Sequence, residues 1–376
     1  MSQQLIRIWM KIIILIFIIF TFIGKTVLAQ DLQSTLDKII TDAHEKNMFN
    51  GVVLVAEKGE VIFTKAIGYA NMEWRVPHTL DSKFQIASVS KQFTCNLILQ
   101  LVDEGKIKLD ATINDYLPNY PDKQGSIVTI RHLMSHTSGI PNYSNFSNWY
   151  SELWTKDYEP DEFLNEFNTM DLEFEPGSKF QYSNSGYFVL GQIIEKITGK
   201  PFNKVVVERI IEPLGLINSG VVDVNSIVPQ MSSPYEYWNE KFTRSDYYSV
   251  THNAGTGFIY TTAQDLFKWH LSQIKSNLIS LSLTEEMMKK QIIIDSYMAY
   301  GFGLFIGELT YGNKQVTLIG HEGAYPGFNV QSFWYPDSDR VIILMNNAGR
   351  TKLGLLSKCI YLTMDDSEYE CDMTVE

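Results

Sequence analysis

Phe84-Gln85-Ile86-Ala87-Ser88-Val89-Ser90-Lys91-Gln92-Phe93-Thr94-Cys95-Asn96-Leu97-Ile98-Leu99-Gln100-Leu101 opens a helix and sets a serine one helical turn before a lysine. Val89, Phe93, Leu97, Ile98 and Leu101 fall on one face from about Ser88, and Gly105 stops the pattern. At a spacing of three, Ser88 and Lys91 lie side by side on the helix surface. A lysine beside a hydroxyl accepts its proton or holds a nearby base anionic. A helix start adds free N–H groups and the positive end of a dipole, both suited to an oxyanion. The pattern alone does not decide, because Ser272-Gln273-Ile274-Lys275 repeats it within what reads as a surface helix. Ser88 by itself also fits a plain N-cap.

Two further elements extend the candidate site. Tyr182-Ser183-Asn184 offers a phenol that nearby cations can make a base, with an amide that can orient a substrate. Other triplets share the pattern, among them those starting at Tyr143, Tyr237 and Tyr311. The setting favours the first: Glu175-Pro176-Gly177 precedes it, and Ser185-Gly186-Tyr187 runs on into a helix from Tyr187 to Thr198, closed by Gly199 and Pro201. His321-Glu322-Gly323 is the only H-x-G of the chain. It follows a strand and reads either as an edge that donates a backbone N–H to an extended substrate or as a glycine turn. His132 and His136 are four apart, but the glutamate of H-E-x-x-H and a third ligand are missing, so a metal site is not expected. No phosphate-binding loop and no G-x-S-x-G elbow is present.

Around these elements the chain reads as helix, strands, helical middle, strands, helix. Residues 31–47 carry Leu32, Leu36, Ile39, Ile40 and Ala43 at helical spacing. Val52–Ala56 and Val61–Ala66, split by Glu57-Lys58-Gly59-Glu60, read as a hairpin. Strands are expected at Gly303–Glu308, Val316–Gly320, Asn329–Tyr335 and Arg340–Asn346, and a closing helix at Lys352–Thr363. The fold class is α/β (α+β): an antiparallel sheet built from both ends of the chain, flanked by terminal helices, with a mainly helical lobe at about 83–254 inserted.

Composition bounds the function. The chain has 376 residues, 45% apolar and 20% charged, which is ordinary for a globular protein. Net charge is −12, from 31 basic and 43 acidic residues with no basic block, which argues against a nucleic-acid partner. Residues 1–29 hold Arg7, Lys11 and Lys25 but no acid, and an apolar run from Ile12 to Gly24. That run is short for a bilayer span. Val27 and Ala29 suit a cleavage site, so 1–29 is expected to be a signal peptide, with a retained anchor as the alternative. Cleavage would leave residues 30–364 as the domain, exported to the periplasm or secreted, without a stable membrane span. Residues 365–376 are acidic and expected to be a disordered tail. Cys359 and Cys371 either pair in such a compartment or stay free, and Cys95 is the third cysteine.

Taken together, these elements resemble the penicillin-recognising serine hydrolases: class C β-lactamases, D-Ala-D-Ala carboxypeptidases and related esterases and D-aminopeptidases. The likeness runs over about 31–363. Phe84 to Lys91 resembles the family's nucleophile segment, and Leu101-Val102-Asp103-Glu104-Gly105-Lys106-Ile107-Lys108-Leu109-Asp110 its continuation. Ile130-Arg131-His132-Leu133-Met134-Ser135-His136-Thr137-Ser138-Gly139 is similar to a segment beside the family's cleft, which accounts for the histidine pair without a metal. Tyr182-Ser183-Asn184, Gly255-Thr256-Gly257, Gly320-His321-Glu322-Gly323 and Pro326-Gly327-Phe328 complete the match. The resemblance implies Ser88 as acylated nucleophile, Lys91 as its helper and Tyr182 as base and acid, with the choice of principal base open. It implies Asn184 as a substrate ligand, the N–H groups of Ser88 and Ala324 as the oxyanion hole beside Gly323, and His321 facing the substrate. No metal or organic cofactor is implied.

One departure bears on the substrate. Class C β-lactamases usually carry Lys-Thr-Gly at the third element, and this chain has none. A histidine is largely neutral near pH 7, and Glu322 adds a negative charge. Recognition of a substrate carboxylate is weakened, so a carboxypeptidase-like peptidase or an esterase is favoured over a class C-like β-lactamase. The expected partner is a small molecule or peptide: a peptidoglycan-type peptide, an ester or a β-lactam. The alternative of another class is a ligand-binding or penicillin-sensing protein that does not turn over. Aromatics of 141–154 and 232–248, among them Tyr143, Trp149, Tyr150 and Tyr248, either line an acyl pocket or pack the lobe.

Overall fold

The computed structural model describes residues 31–223, 225–349, 353–366 and 369–372. The expected signal peptide lies outside them. Among the described residues no helix is long and apolar enough to cross a membrane.

The hairpin forms as β1 (Gly51–Glu57) and β2 (Glu60–Ile67). Its two-residue turn, Lys58-Gly59, has φ of 54° and 78°, the left-handed pair that a tight hairpin demands. The other strands of the sheet come much later: β3 (Ile292–Ile293), β4 (Met298–Tyr300), β5 (Phe305–Tyr311), β6 (Lys314–Tyr325), β7 (Phe328–Tyr335) and β8 (Arg340–Asn346). They form one eight-stranded sheet in the order β3-β4-β5-β6-β7-β8-β1-β2. Every neighbouring pair is antiparallel. The last strand thus lies beside the first, with Gly51 opposite Asn346. Everything between β2 and β3 is inserted.

Side chains alternate across a strand, so each strand feeds two cores. Val52, Leu54, Ile343 and Met345 face the inserted lobe and pack with α2 (Lys91–Asp103), α3 (Asn184–Thr198) and α4 (Ala263–Ile274). Val53, Val55, Ile342 and Leu344 face the other way, onto Leu36 and Ile40 of α1 (31–45) and Leu356 and Ile360 of α5 (Leu353–Asp365). Burial on both faces explains why β1 and β8 read as continuous apolar runs.

Three local differences from the sequence reading matter. Ser88 lies in a 3₁₀ turn, Ala87–Ser90, just before α2, rather than on the α-helix. Ala87 has φ of 46°, a value an α-helix does not tolerate. α3 starts at Asn184, not Tyr187, because Ser183 caps it and accepts from the Gly186 N–H. β6 does not stop at Gly320: its pairing with β7 continues to Tyr325 opposite Phe328, so His321-Glu322-Gly323 is strand and not turn.

Within the segment expected to be a loose acidic tail, two described residues are tied to the domain. Cys371 forms a disulfide with Cys359 of α5. Asp365 pairs with Arg340 at 2.6 Å and Lys314 at 2.5 Å.

Candidate active site

The Ser88 turn is held from both sides. Phe84–Gln85 pairs with Ile259–Thr261, the Ile86 N–H donates to Ile259 O at 3.0 Å, and Ser90 Oγ accepts the Ile259 N–H at 3.1 Å. Lys91, the first residue of α2, is fully buried. Its Nζ lies 3.0 Å from Ser88 Oγ and donates to Thr256 O at 3.0 Å. Gly255 lets the Thr256 segment press onto α3: it has φ of 76°, and a Cβ there would stand 2.1 Å from Tyr187 O. Burial holds the Lys91 amine well below the usual lysine range and outweighs the opposing effect of Cys95.

Tyr182 brings its hydroxyl to the Ser88 side chain. Its ring centroid is 5.0 Å from Lys91 Nζ. Burial pushes the phenol up, against the lowering effect of the Ser88 bond. His136 packs on the same ring at 4.1 Å, and its Nδ1 accepts the Ser183 N–H at 3.1 Å. That role was not legible in the sequence, since it depends on a fold that stacks residues far apart in the chain. Asn184, on the first turn of α3, takes the Asn142 side chain on its N–H at 3.0 Å and presents its own amide to the cavity.

His321 is placed differently from the expectation that it faces substrate. It is buried, its Nε2 accepts from Tyr300 OH at 3.0 Å, and its Nδ1 bonds the Glu322 carbonyl. Burial, and then Lys91, push its pKa down to about 3, so the ring is neutral. Glu322 points through the sheet to the opposite side, into a cavity lined by Phe333 and Lys358 of α5. Gly323 touches the nucleophile's turn: a Cβ there would lie 2.1 Å from Ile86 O and 3.0 Å from Ser88 N. Ala324 comes next and opens into the same cavity as Ser88.

That cavity is about 490 Å³, a size for a small molecule or a peptide end. Ser88, Lys91, Asn184 and Ala324 line it, with an aromatic wall of Tyr143, Trp149, Tyr150, Trp154, Tyr325 and Phe328. Tyr248 backs the wall by stacking on Tyr325 at 5.0 Å. The other S-x-x-K makes no dyad: Ser272 is buried on α4, while Lys275 is exposed past its end. Ser272→Ala is therefore expected to change kcat/KM by less than about twofold in an ester-hydrolysis assay. Of the Tyr-x-Asn triplets, only the one at Tyr182 brings its phenol to Ser88 and its amide to the cavity. Among the described residues no cluster of His, Cys, Asp or Glu could hold a metal ion.

The comparisons agree with this architecture. Over 335 residues the chain is 29% identical to penicillin-binding protein 4* of Bacillus subtilis (strain 168), covering 85% of this chain and 72% of that one. Esterase EstB of Burkholderia gladioli is 33% identical over 207 residues, 52% of this chain and 53% of the relative. The D-amino acid amidase of Ochrobactrum anthropi SV3, solved with D-phenylalanine, shares the fold with a TM-score of 0.77. That match is 23% identical and covers 90% of this chain and all of the amidase (100%). Residues 36–354 match the Beta-lactamase family, so the chain belongs to that family and is a serine hydrolase of the β-lactamase/transpeptidase fold.

Proposed function

We propose that the protein cleaves ester or amide bonds through an acyl-enzyme on Ser88, as a carboxypeptidase-like peptidase or an esterase. The carrying observation is the contact of Ser88 Oγ with Lys91 Nζ at 3.0 Å, the amine being buried. Lys91 is the principal base. Its neutral form accepts the Ser88 proton, whereas the Tyr182 phenol, pushed up by burial, keeps its own. Ser88 Oγ forms the bond to the acyl carbon, and the carbonyl oxygen takes the charge toward the N–H groups of Ser88 and Ala324. Tyr182 gives its proton to the leaving alcohol or amine and recovers one from Lys91. Water then attacks the ester, passes its proton back along the same pair, and frees Ser88. Asn184 holds the substrate from the cavity wall.

The third element supports the choice of substrate. His321 is neutral and tied to Tyr300, so it does not supply the charge that a Lys-Thr-Gly lysine offers a carboxylate. EstB as an esterase relative favours esters. The fold shared with an amidase is compatible with amides. A class C-like β-lactamase is the second reading, supported by the penicillin-binding relative. A binder without turnover has no need of a buried amine beside a serine. Residues 1–29 serve as the export signal in this proposal, which places the enzyme outside the cytoplasm.

Short-chain nitrophenyl esters, D-amino-acid nitroanilides and a chromogenic cephalosporin, compared by kcat/KM, test the reading. Esters or anilides should lead. A cephalosporin hydrolysed faster than both would make the enzyme a β-lactamase instead. The pH profile tests the base. As pH falls through the depressed Lys91 pKa, Nζ takes a proton and cannot accept that of Ser88, so kcat/KM drops on the acid side. His321, with its pKa near about 3, adds no limb near neutrality. Lys91→Arg, always protonated, should lose activity at every pH. Retained activity in that variant would remove Lys91 from its role.

A further inference from the structure

Lys91 becomes a cation when it takes the Ser88 proton, yet it is fully buried. Its Nζ has two oxygen neighbours, Ser88 Oγ and Thr256 O, each at 3.0 Å. Among the described residues no carboxylate lies within ion-pair distance of it. A buried charge without a partner is costly. Two aromatic rings stand where a counter-ion would. Nζ is 5.0 Å from the ring centroid of Tyr182 and 5.4 Å from that of Tyr187. A ring face attracts a cation within about 6 Å of its centroid, and more strongly in a dry site.

Tyr187 takes no part in the proton transfers. It is buried on α3 and does not line the Ser88 cavity. Its hydroxyl is committed elsewhere: it donates to Met134 O at 2.7 Å and meets Cys95 Sγ at 3.2 Å. What it offers Lys91 is the ring. The loop that holds Lys91 also holds Tyr187, because Thr256 O takes Nζ and Gly255 packs on the Tyr187 carbonyl. His136 packs on both rings, at 4.1 Å from Tyr182 and 4.8 Å from Tyr187, and keeps their spacing.

We propose that Tyr187 is a positioning residue for the hydrolysis, its ring acting with that of Tyr182 as the counter-charge for protonated Lys91. The proposal rests on Lys91 as the base. A ring suits that task better than a carboxylate. A carboxylate would hold Lys91 protonated and unable to accept, whereas a ring steadies the ammonium without locking it. The other titratable groups around the amine bring no charge. Burial pushes the Cys95 thiol of α2 up to about 12 and the Tyr300 phenol well up. Burial pushes His136 and His321 of β6 down, so both rings are neutral. Glu322, whose charge reaches Tyr182, points through the sheet.

Tyr187→Leu would empty a packed site and admit water, so the test keeps the ring and drains its electrons. Tyr187→Phe is the reference, followed by mono-, di- and trifluorinated phenylalanine at the same position. Volume hardly changes, while each fluorine weakens the attraction of the face for a cation. The acid limb of kcat/KM reports Lys91 in the free enzyme. Losing a stabiliser of the ammonium lowers its pKa, so the limb should move stepwise to lower pH, by about 0.5–1.5 units over the series. A weaker base also slows the transfer, so kcat should fall about three- to tenfold. KM should hold, since Tyr187 lies outside the cavity. A flat limb, or one that moves up, would overturn the proposal. So would a loss of kcat unrelated to fluorine number, the mark of a merely structural role. A fluorotyrosine series keeps the hydroxyl bonds and decides the matter in the same way if Tyr187→Phe does not fold. Lys91→Arg separates the two readings. If it is inactive and the limb is flat, only the role of Tyr187 falls; if it is active, the base falls and Tyr187 with it.

Discussion

Ser88→Ala folds like the wild type and loses turnover by about 10⁴-fold or more, the scale on which removing a nucleophile acts in a serine hydrolase. The substitution removes one oxygen from a half-buried turn, and little of the structure depends on it. The turn keeps its bond from Ile86 to Ile259, and Lys91 keeps Thr256 O. Chemistry loses the hydroxyl that Lys91 and Tyr182 share. Intact mass after brief exposure to benzylpenicillin makes the result specific to the residue. A penicilloyl adduct on the wild type, absent from Ser88→Ala, identifies the nucleophile. Slow loss of the adduct fits a peptidase, and rapid loss a β-lactamase. Wild-type ester turnover by the variant would remove Ser88 from the mechanism altogether. The same variant separates enzyme from sensor, because a pure binder keeps its affinity and has no turnover to lose.

Much of this architecture is legible before folding. The hairpin, the late strands and the terminal helices follow from apolar periodicity with glycine at the turns, and these signals are local. Ser88 with Lys91, and Tyr182 with Asn184, are legible too, because spacing and setting separate them from their repeats. What the sequence hides is direction. His321 and Glu322 are adjacent, and a linear reading sets both near the substrate. Strand alternation sends Glu322 through the sheet and buries His321 against Tyr300. The extent of β6 hides for a related reason: Gly320 and Gly323 look like a turn, yet glycine is there because other backbone comes close. Backbone partners leave no residue signature either. The carbonyl that steadies Lys91 belongs to Thr256, and any residue type would provide one.

Gly323→Ala is expected to damage activity far more than its single methyl suggests. The new Cβ would stand 2.1 Å from Ile86 O and 3.0 Å from Ser88 N, well inside contact distance. Something must move, and β6 is the less free of the two. Gly323 is paired with Val330 of β7, in the middle of a register that runs from Ile319 to Tyr325, and the same strand is paired with β5 up to Gly320. The displacement falls on the Ile86–Ser88 turn, already strained at Ala87 with φ of 46°. That turn carries the nucleophile and one proposed oxyanion donor, while Ala324 of β6 carries the other. Pushing them apart lengthens both contacts to the developing charge at once. A shift on the order of 1 Å in such a constellation costs about 100-fold in rate, and overpacking costs about 1–3 kcal/mol in stability. Gly51→Ala is the control. Its Cβ would meet Met345 O at 1.9 Å, a clash of the same kind between β1 and β8, outside the residues that line the Ser88 cavity. Urea unfolding and ester kcat/KM on both variants divide the two effects. Comparable destabilisation, with activity lost only in Gly323→Ala, is the expected outcome. Equal activity in the two variants would make the β6 contact mere packing and leave the oxyanion hole to be sought elsewhere.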